Sequence, residues 1–263
     1  MKVILVTGAS RGIGFETARQ LAIEGNTVIL GCRKPVDFSH QEALADLNVH
    51  IVTLDVTSET DVRNVCNFIG SRFGCLDVLI NNAGIGETGN TRKPGIRKSV
   101  RKIPVLKNMY NMFKPLVKKV VSYRPDFGLQ STSVEKSKEI MDTNFYGVWR
   151  MCSAAIPLLR KSKNAQIINV SSGMGLLTNL SGYLPAYSLS KASLNALSIM
   201  LANELAKKNI AVNAVCPGWV RTDLGGPDAP LSVPEGVDTI VWLALQNHPE
   251  TGKFFKKRQI LDW

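Results

Sequence analysis

Tyr187 and Lys191 stand four residues apart in "GYLPAYSLSK". On a helix, positions i and i+4 share a face, so this spacing sets an ammonium beside a phenol. A phenol titrates near pH ~10, too high for acid–base work at neutral pH, and an adjacent Lys⁺ favours the phenolate and lowers that value. Just upstream, an apolar run ends in Ser171-Ser172. A hydroxyl there, that of Ser172, can donate to the oxygen of a carbonyl. The chemistry these types fit is proton transfer to or from that oxygen. The spacing alone is weak, because Tyr110 and Lys114 repeat it. That second pair follows no strand-like run and lies near no serine. Tyr187 and Lys191 taken alone also fit a plain surface pair. What favours chemistry is a helix opening just after a strand that ends in serines.

A second cluster lies near the start, in "VTGASRGIG". Gly8, Gly12 and Gly14 follow a short apolar run and open a helical pattern, with Ser10, Arg11 and Ile13 in the same loop. Glycines permit a tight turn and let backbone N–H groups approach a pyrophosphate, which a helix N-terminus favours electrostatically. An ordinary glycine-rich turn is the plainer account, made less apt by the strand before and the helix after. The second strand ends in "LGCRKP". A cofactor with a free 2′-hydroxyl calls for a carboxylate there, and a 2′-phosphate calls for a cation. Cys32 takes that place, Arg33 follows it, and Arg11 can reach the same phosphate. Two guanidiniums and no acid point to NADPH over NADH, although each Arg alone also fits a solvated surface charge. Asp55 and Val56 end the third strand, where a carboxylate can meet the adenine amine. Asn82, Ala83 and Gly84 belong to "NNAG" at the end of the fourth, either a plain turn or amides that brace a neighbouring backbone.

These residues need elements to hold them. Val3–Val6, Thr27–Leu30, Val49–Leu54, Leu76–Ile80, Gln166–Val170 and Ile210–Val215 read as buried strands, with Lys253–Ile260 as a seventh. Between them, helical periodicity runs over Ile13–Glu24, Ser58–Gly70, Thr132 to about Leu159, Pro185–Ala206 and Pro234–Leu245. Ser58 is an N-cap by type, Gly25-Asn26 stops the first helix, and Thr132 with Glu135 has capping-box spacing. Strands separated by helices imply right-handed crossovers and a parallel sheet covered on both faces, with ligands beyond the carboxyl ends of its strands.

The 263 residues, 44 % hydrophobic, suit one large domain over 1–263 with an insertion at 86–131. Five scattered cysteines argue against a disulfide framework and for a reducing, cytoplasmic setting. No leader is expected, since Met1-Lys2 runs straight into the first strand, and no uncharged run has the length of a membrane span. His40, His50 and His248 make no ligand spacing with the cysteines, so no metal is expected. The net charge of +11 is unevenly placed: eleven of the 32 basic residues, but only Glu87 and Asp126 of the 21 acidic ones, fall between Ile85 and Ser131.

Taken together, "TGASRGIG", "NNAG", Asn144 in "MDTNFYG", "NVSS", "YSLSK" and "CPGWVRTD" resemble the short-chain dehydrogenase/reductase family. The resemblance covers nearly all of the chain outside about 86–131. "CPGWVRTDLGGP" and the ending "GKFFKKRQILDW" are most similar to its NADPH-dependent carbonyl reductases. It implies an α/β, Rossmann-type doubly wound parallel sheet of about seven strands. It implies reduction of a ketone, aldehyde or quinone to an alcohol, with Tyr187 as general acid, Lys191 on the nicotinamide ribose, Ser172 orienting the carbonyl and Asn144 fixing a water that links Lys191 to solvent. An Asn inside a helix that merely bonds nearby backbone is the alternative for Asn144. The resemblance places Pro217, Gly218, Val220 and Thr222 at the carboxamide, and Met174, Tyr183 and Trp219 at the substrate pocket, Trp219 fitting simple core packing as well. Monomeric carbonyl reductases often carry an insertion just before the catalytic tyrosine. Here the extra residues come earlier, so monomer, homodimer and tetramer all stay open.

Two other readings compete with a reductase. A non-catalytic NADPH-binding scaffold would not need the four residues of the tetrad. A nucleic-acid binder would have only Tyr110, Phe113 and Tyr123 in the basic stretch for stacking, so nucleic acid is not an expected partner. In that stretch Ile103, Leu106, Tyr110, Phe113, Val117 and Val120 recur at steps of three and four, one apolar stripe of a helix that Pro104 suits at its start and Pro115 kinks. The stripe suits a lid over the substrate cleft, a peripheral membrane contact through 93–121, or an oligomer contact.

Overall fold

Strand β1 (Val3–Thr7) shows why the strands read as continuous apolar runs. Leu5 points to one face of the sheet, and Ile4 and Val6 point to the other; all three are fully buried. Alternation sends successive side chains to opposite faces, and here both faces are covered, so neither set is polar. The computed structural model describes residues 1–34, 44, 47–87 and 128–263. On one face, Leu5, Ile29, Leu79, Ile167 and Val212 pack under helices α2 (Glu59–Phe73), α4 (Gly147–Leu159) and α5 (Pro185–Leu205). On the other, Ile4, Val28, Leu30, Ile80 and Ile168 pack under α1 (Gly12–Ile23) and α6 (Val233–Leu245). Each fully buried Leu or Ile contributes about 1.5–3 kcal/mol, so the two slabs are the main source of stability.

The sheet has eight strands in the order β3-β2-β1-β4-β5-β6-β7-β8. The further strands are β2 (Thr27–Cys32), β3 (Val49–Thr53), β4 (Val78–Asn81), β5 (Ala165–Val170), β6 (Ile210–Val215), β7 (Phe254–Lys256) and β8 (Gln259–Leu261). All pairs are parallel except the last, β7 with β8. The single final strand expected over Lys253–Ile260 is thus two. The chain reverses at Lys257 and Arg258, both at positive φ (52° and 60°), the geometry of a two-residue hairpin turn. Neither residue favours that region, but Arg258 is held from outside: its N–H donates to Thr239 Oγ1 (3.1 Å) and its guanidinium pairs with Asp238.

Caps explain most boundaries. Ser58 accepts from the N–H of Asp61 (3.2 Å) at the start of α2. Gly25, at φ 77°, closes α1 with bonds from Gly25 N–H to Ala22 O and from Asn26 N–H to Leu21 O. The long helix expected from Thr132 to Leu159 starts at Val134, with its cap one residue later than expected, and is interrupted. Ser133, not Thr132, caps α3 (Val134–Met141) by accepting from Lys136 N–H (3.1 Å). A π turn follows at Asp142–Tyr146, and α4 continues from Gly147. The extra residue of a π turn cannot be read from 3.6-residue periodicity, and such turns often mark functional sites.

Strands β2 and β4 flank β1, so the crossovers on its two sides diverge, and a crevice opens beyond the ends of β1 and β4 at Thr7 and Asn81. All five cysteines are free thiols. Among the described residues no helix is long and apolar enough to cross a membrane. The apolar stripe and the Tyr110–Lys114 pair lie outside the described residues.

Candidate active site

At the crevice the glycine loop is shaped by what its neighbours forbid. Gly8 sits at φ 65°, and a Cβ there would lie 2.8 Å from Ala83 Cα. At Gly14 a Cβ would lie 2.4 Å from both Gly8 O and Asn82 Nδ2. Asn82 sits so close because it braces the loop: its Nδ2 donates to Thr7 O (2.9 Å) and Gly8 O (3.1 Å), and its N–H donates to Thr7 Oγ1 (3.0 Å). Ala83 N–H donates to the same hydroxyl. The start of α1 has no side-chain cap at Arg11 and no acid in its first turn. By contrast, α2 and α6 open on capping serines with acidic residues beside them. A bare positive helix end, glycines that leave room and a braced loop fit the pyrophosphate of a dinucleotide.

The other cofactor candidates stand around this bed. Arg33 is exposed past Cys32, whose thiol burial pushes up to about 11, so Cys32 offers no charge to a ribose. Burial raises the Asp55 pKa, but hydrogen bonds from Thr57 and the nearby Arg33 charge outweigh it and hold the carboxyl below its usual range. Val56 turns its side chain into the core, so close to Gly147 that a Cβ there would lie 2.7 Å from it. Only the Val56 backbone is left for a ligand. Arg11 meets Asp223 at 3.1 Å, and a Cβ at Gly12 would lie 3.4 Å from Thr222 Cγ2. The loops after β1 and β6 thus face each other across the crevice. Gly218 (φ 83°) has Leu231 against its α-carbon, Val220 is buried and bridged to Leu231, and half-buried Pro217 precedes them. Ser10 and Ile13 are half-buried in the glycine loop, and Gly84 is exposed at the end of "NNAG".

At the ends of β5 and α5, the two serines separate as residues on alternate faces must. Ser171 is buried, and its hydroxyl donates to Asn195 Oδ1 (2.6 Å). Ser172 turns the opposite way. Its oxygen accepts from Met174 N–H (3.2 Å), and it shares a hydrogen bond with the phenol of Tyr187. Lys191 Nζ lies 5.7 Å from the Tyr187 ring centre and donates to Val170 O (2.8 Å). Burial pushes the Lys191 ammonium down to about 8 and the Tyr187 phenol up to about 12, the Ser172 bond working against the latter. The phenol is therefore not lowered by the protein alone, contrary to the sequence expectation. Near neutral pH the pair is a protonated phenol beside a mostly protonated ammonium. Cys216, buried and accepting from Gly173 N–H (3.3 Å), lies close enough to act on both.

Asn144 is fully buried in the π turn. Its Oδ1 accepts from Ile85 N–H (2.8 Å), and its Nδ2 donates to Ile85 O (2.9 Å) and Ser190 Oγ (3.0 Å). Both amide protons are spent, so the side chain joins the loop after β4 to α5 and has no proton left for a water. It does bond backbone, but 59 residues away rather than in its own helix. Gly84 lies at this junction, where a Cβ would meet Asn144 Oδ1 at 3.3 Å and Lys191 Nζ at 3.7 Å. Trp219 is not core: it is 55 % exposed, with Nε1 donating to Gly225 O (2.7 Å). Met174 and Tyr183 are half-buried between β5 and α5. Sequence reasoning missed Gly175, whose α-carbon presses on the backbone of Lys191 and Ala192, and the Ser171–Asn195 link that braces it through Asn195 Nδ2 and Gly175 O. It also missed Glu87, whose only signal was being one of two acids in a strongly basic stretch.

A family model described as short chain dehydrogenase matches residues 2–114 and 115–230. (+)-Neomenthol dehydrogenase of Arabidopsis thaliana is 33 % identical over 309 aligned residues, covering 98 % of this chain and 97 % of that protein. Carbonyl reductase [NADPH] 1 of Sus scrofa is 26 % identical over 100 % of this chain and 94 % of its own length. Among solved structures, the carbonyl reductase Sniffer of D. melanogaster matches with a TM-score of 0.78 at 26 % identity, over 100 % of both chains.

Proposed function

The chain belongs to the short-chain dehydrogenase family, and on that premise we propose that it reduces a ketone, aldehyde or quinone to an alcohol with NADPH, Tyr187 giving the proton. The observation that carries this reading is the Ser172–Tyr187–Lys191 arrangement at the carboxyl edge of the sheet, beside the glycine loop. The cofactor choice rests on Arg33 just past the end of β2 and Arg11 in the glycine loop, with no acid at Cys32, and on the carbonyl reductase [NADPH] relative. A cytoplasmic setting accords with five free thiols.

When bound, NADPH supplies the hydride to the carbonyl carbon. The residues of this chain do the rest. The glycine loop and the open end of α1 would hold the pyrophosphate, and Arg33, with Arg11 released from Asp223, would hold the 2′-phosphate. Ser172, which shares a hydrogen bond with the phenol, can donate to a carbonyl oxygen brought beside it. Tyr187 keeps its proton at neutral pH because burial disfavours the phenolate, so the proton is present for transfer. As it leaves, the charge that develops on the phenolate faces the Lys191 ammonium and the Ser172 hydroxyl.

The test is Tyr187→Phe assayed with NADPH over a panel of alicyclic and aromatic ketones, aldehydes and quinones. Turnover should fall at least about 100-fold, with NADPH affinity within about twofold of wild type. A variant as active as wild type would remove Tyr187 from the chemistry.

A further inference from the structure

Helix α5, which carries Tyr187 and Lys191, begins without a cap of its own. The N-cap position is Leu184, in the left-handed region (φ 51°, ψ 56°), with no side-chain bond to the helix. Pro185 has no N–H, and Ser188 N–H already donates back to Leu184 O. The first N–H groups left over are those of Ala186 and Tyr187. Both are taken by one carboxylate from far away in the chain. Glu87 Oε1 accepts from Ala186 N–H (3.1 Å), and Oε2 accepts from Tyr187 N–H (3.2 Å). Glu87 is itself held, because Thr132 Oγ1 donates to its Oε1 (2.9 Å) and also lies 3.1 Å from Gly128 O. A left-handed Leu is strained and persists only where surrounding contacts over-determine it.

The loop that bears Glu87 has its other end on the cofactor bed. From Asn82 to Glu87 it braces the glycine loop through the Asn82 amide, meets Asn144 through both backbone groups of Ile85, and grips the Tyr187 backbone through Glu87. Six residues thus tie the proposed pyrophosphate site to the proposed proton donor. We infer that Glu87 is a positioning residue for Tyr187, fixing the phenol relative to the nicotinamide end of the bed, with Thr132 holding the carboxylate in place. This rests on the reading of Tyr187 as the proton donor.

The experiment is a double-mutant cycle between Glu87→Ala and Tyr187→Phe, read as kcat on the best ketone of the panel, with NADPH affinity measured separately by fluorescence. A positioning role predicts that Glu87→Ala lowers kcat at least about tenfold, since small misplacements of a reacting group are costly, while NADPH affinity stays within about twofold. It predicts further that Glu87→Ala leaves the residual rate of Tyr187→Phe unchanged, because the group it positions is gone. Glu87→Gln, which keeps one strong acceptor, and Thr132→Val, which frees the carboxylate, should each lower kcat by about threefold or more, and they carry the comparison if Glu87→Ala does not fold. Loss of thermal stability with full kcat in all three variants would make Glu87 a cap and nothing more. An equal fall in both Tyr187 backgrounds would place its action elsewhere. A fully active Tyr187→Phe would instead overturn the parent reading.

Discussion

Lys191 is an ammonium held almost out of water, 5 % exposed, with one carbonyl, Val170 O, as its acceptor. Burial brings it from an ordinary 10.5 down to about 8. The folded form thus binds its proton less tightly than the unfolded chain does. Below pH ~8 both states are protonated and the folded state bears the full cost, whereas between ~8 and ~10.5 the unfolded state alone holds the proton and the cost fades. One pKa unit corresponds to about 1.36 kcal/mol, so the burden near neutral pH is on the order of 3 kcal/mol. Replacing Lys191 by Met should therefore abolish reduction and yet stabilise the fold at pH 7 by up to about that amount. The gain should disappear as the pH approaches ~10.5. Chemical denaturation of both proteins at pH 7 and pH 10 measures it, and a destabilised Lys191→Met at pH 7 would contradict the account. Such a burden supports the reading of Lys191 as a charge kept for chemistry.

At the scale of elements, the glycine loop and the loop after β4 are built against each other. Gly14→Ala would drive a methyl to 2.4 Å from a backbone carbonyl and from the Asn82 amide, neither of which is a free side-chain end. The variant should lose NADPH affinity at least about tenfold and lose about 1–3 kcal/mol of stability, the usual cost of overpacking; a titration with NADPH and a denaturation curve check both. The glycines of this loop were legible because backbone need leaves a residue-type trace. The caps at Ser58 and Gly25 were legible for the same reason. The start of α3 was not, since Thr132 and Ser133 both suit a cap, and the winner was decided by Glu87, which draws the Thr132 hydroxyl away. The π turn left no trace in periodicity. Neither did the grip of Glu87 on α5, which spans 99 and 100 residues of chain and involves only backbone N–H groups. Of the site, Tyr187, Lys191 and the glycines could be found by type and spacing, but what holds them in register could not.

For the molecule as a whole, the net charge of +11 says little about the cofactor, because most of it lies between Ile85 and Ser131 and the rest of the chain is nearly balanced. Discrimination between NADPH and NADH must then come from single charges beside the crevice, Arg33 just past the end of β2 and Arg11 in the glycine loop. Each guanidinium there already faces an acid. Arg11 pairs with Asp223 at an exposed site, and Arg33 acts on Asp55. Such surface pairs are weak, about 0–1 kcal/mol, so a 2′-phosphate can displace them at little cost. A charge-assisted bond to that phosphate is worth about 1.5–3 kcal/mol. Ligand binding stabilises the whole fold by mass action, by about 2.7 kcal/mol at 100 times Kd. At this chain length that amounts to a rise in Tm of about 5–10 °C. NADPH should therefore raise the melting temperature by several degrees more than NADH at the same concentration. Arg33→Ala should cut the NADPH shift down toward the NADH value while leaving the NADH shift nearly unchanged. Equal shifts for the two cofactors with the wild-type protein would remove the assignment to NADPH.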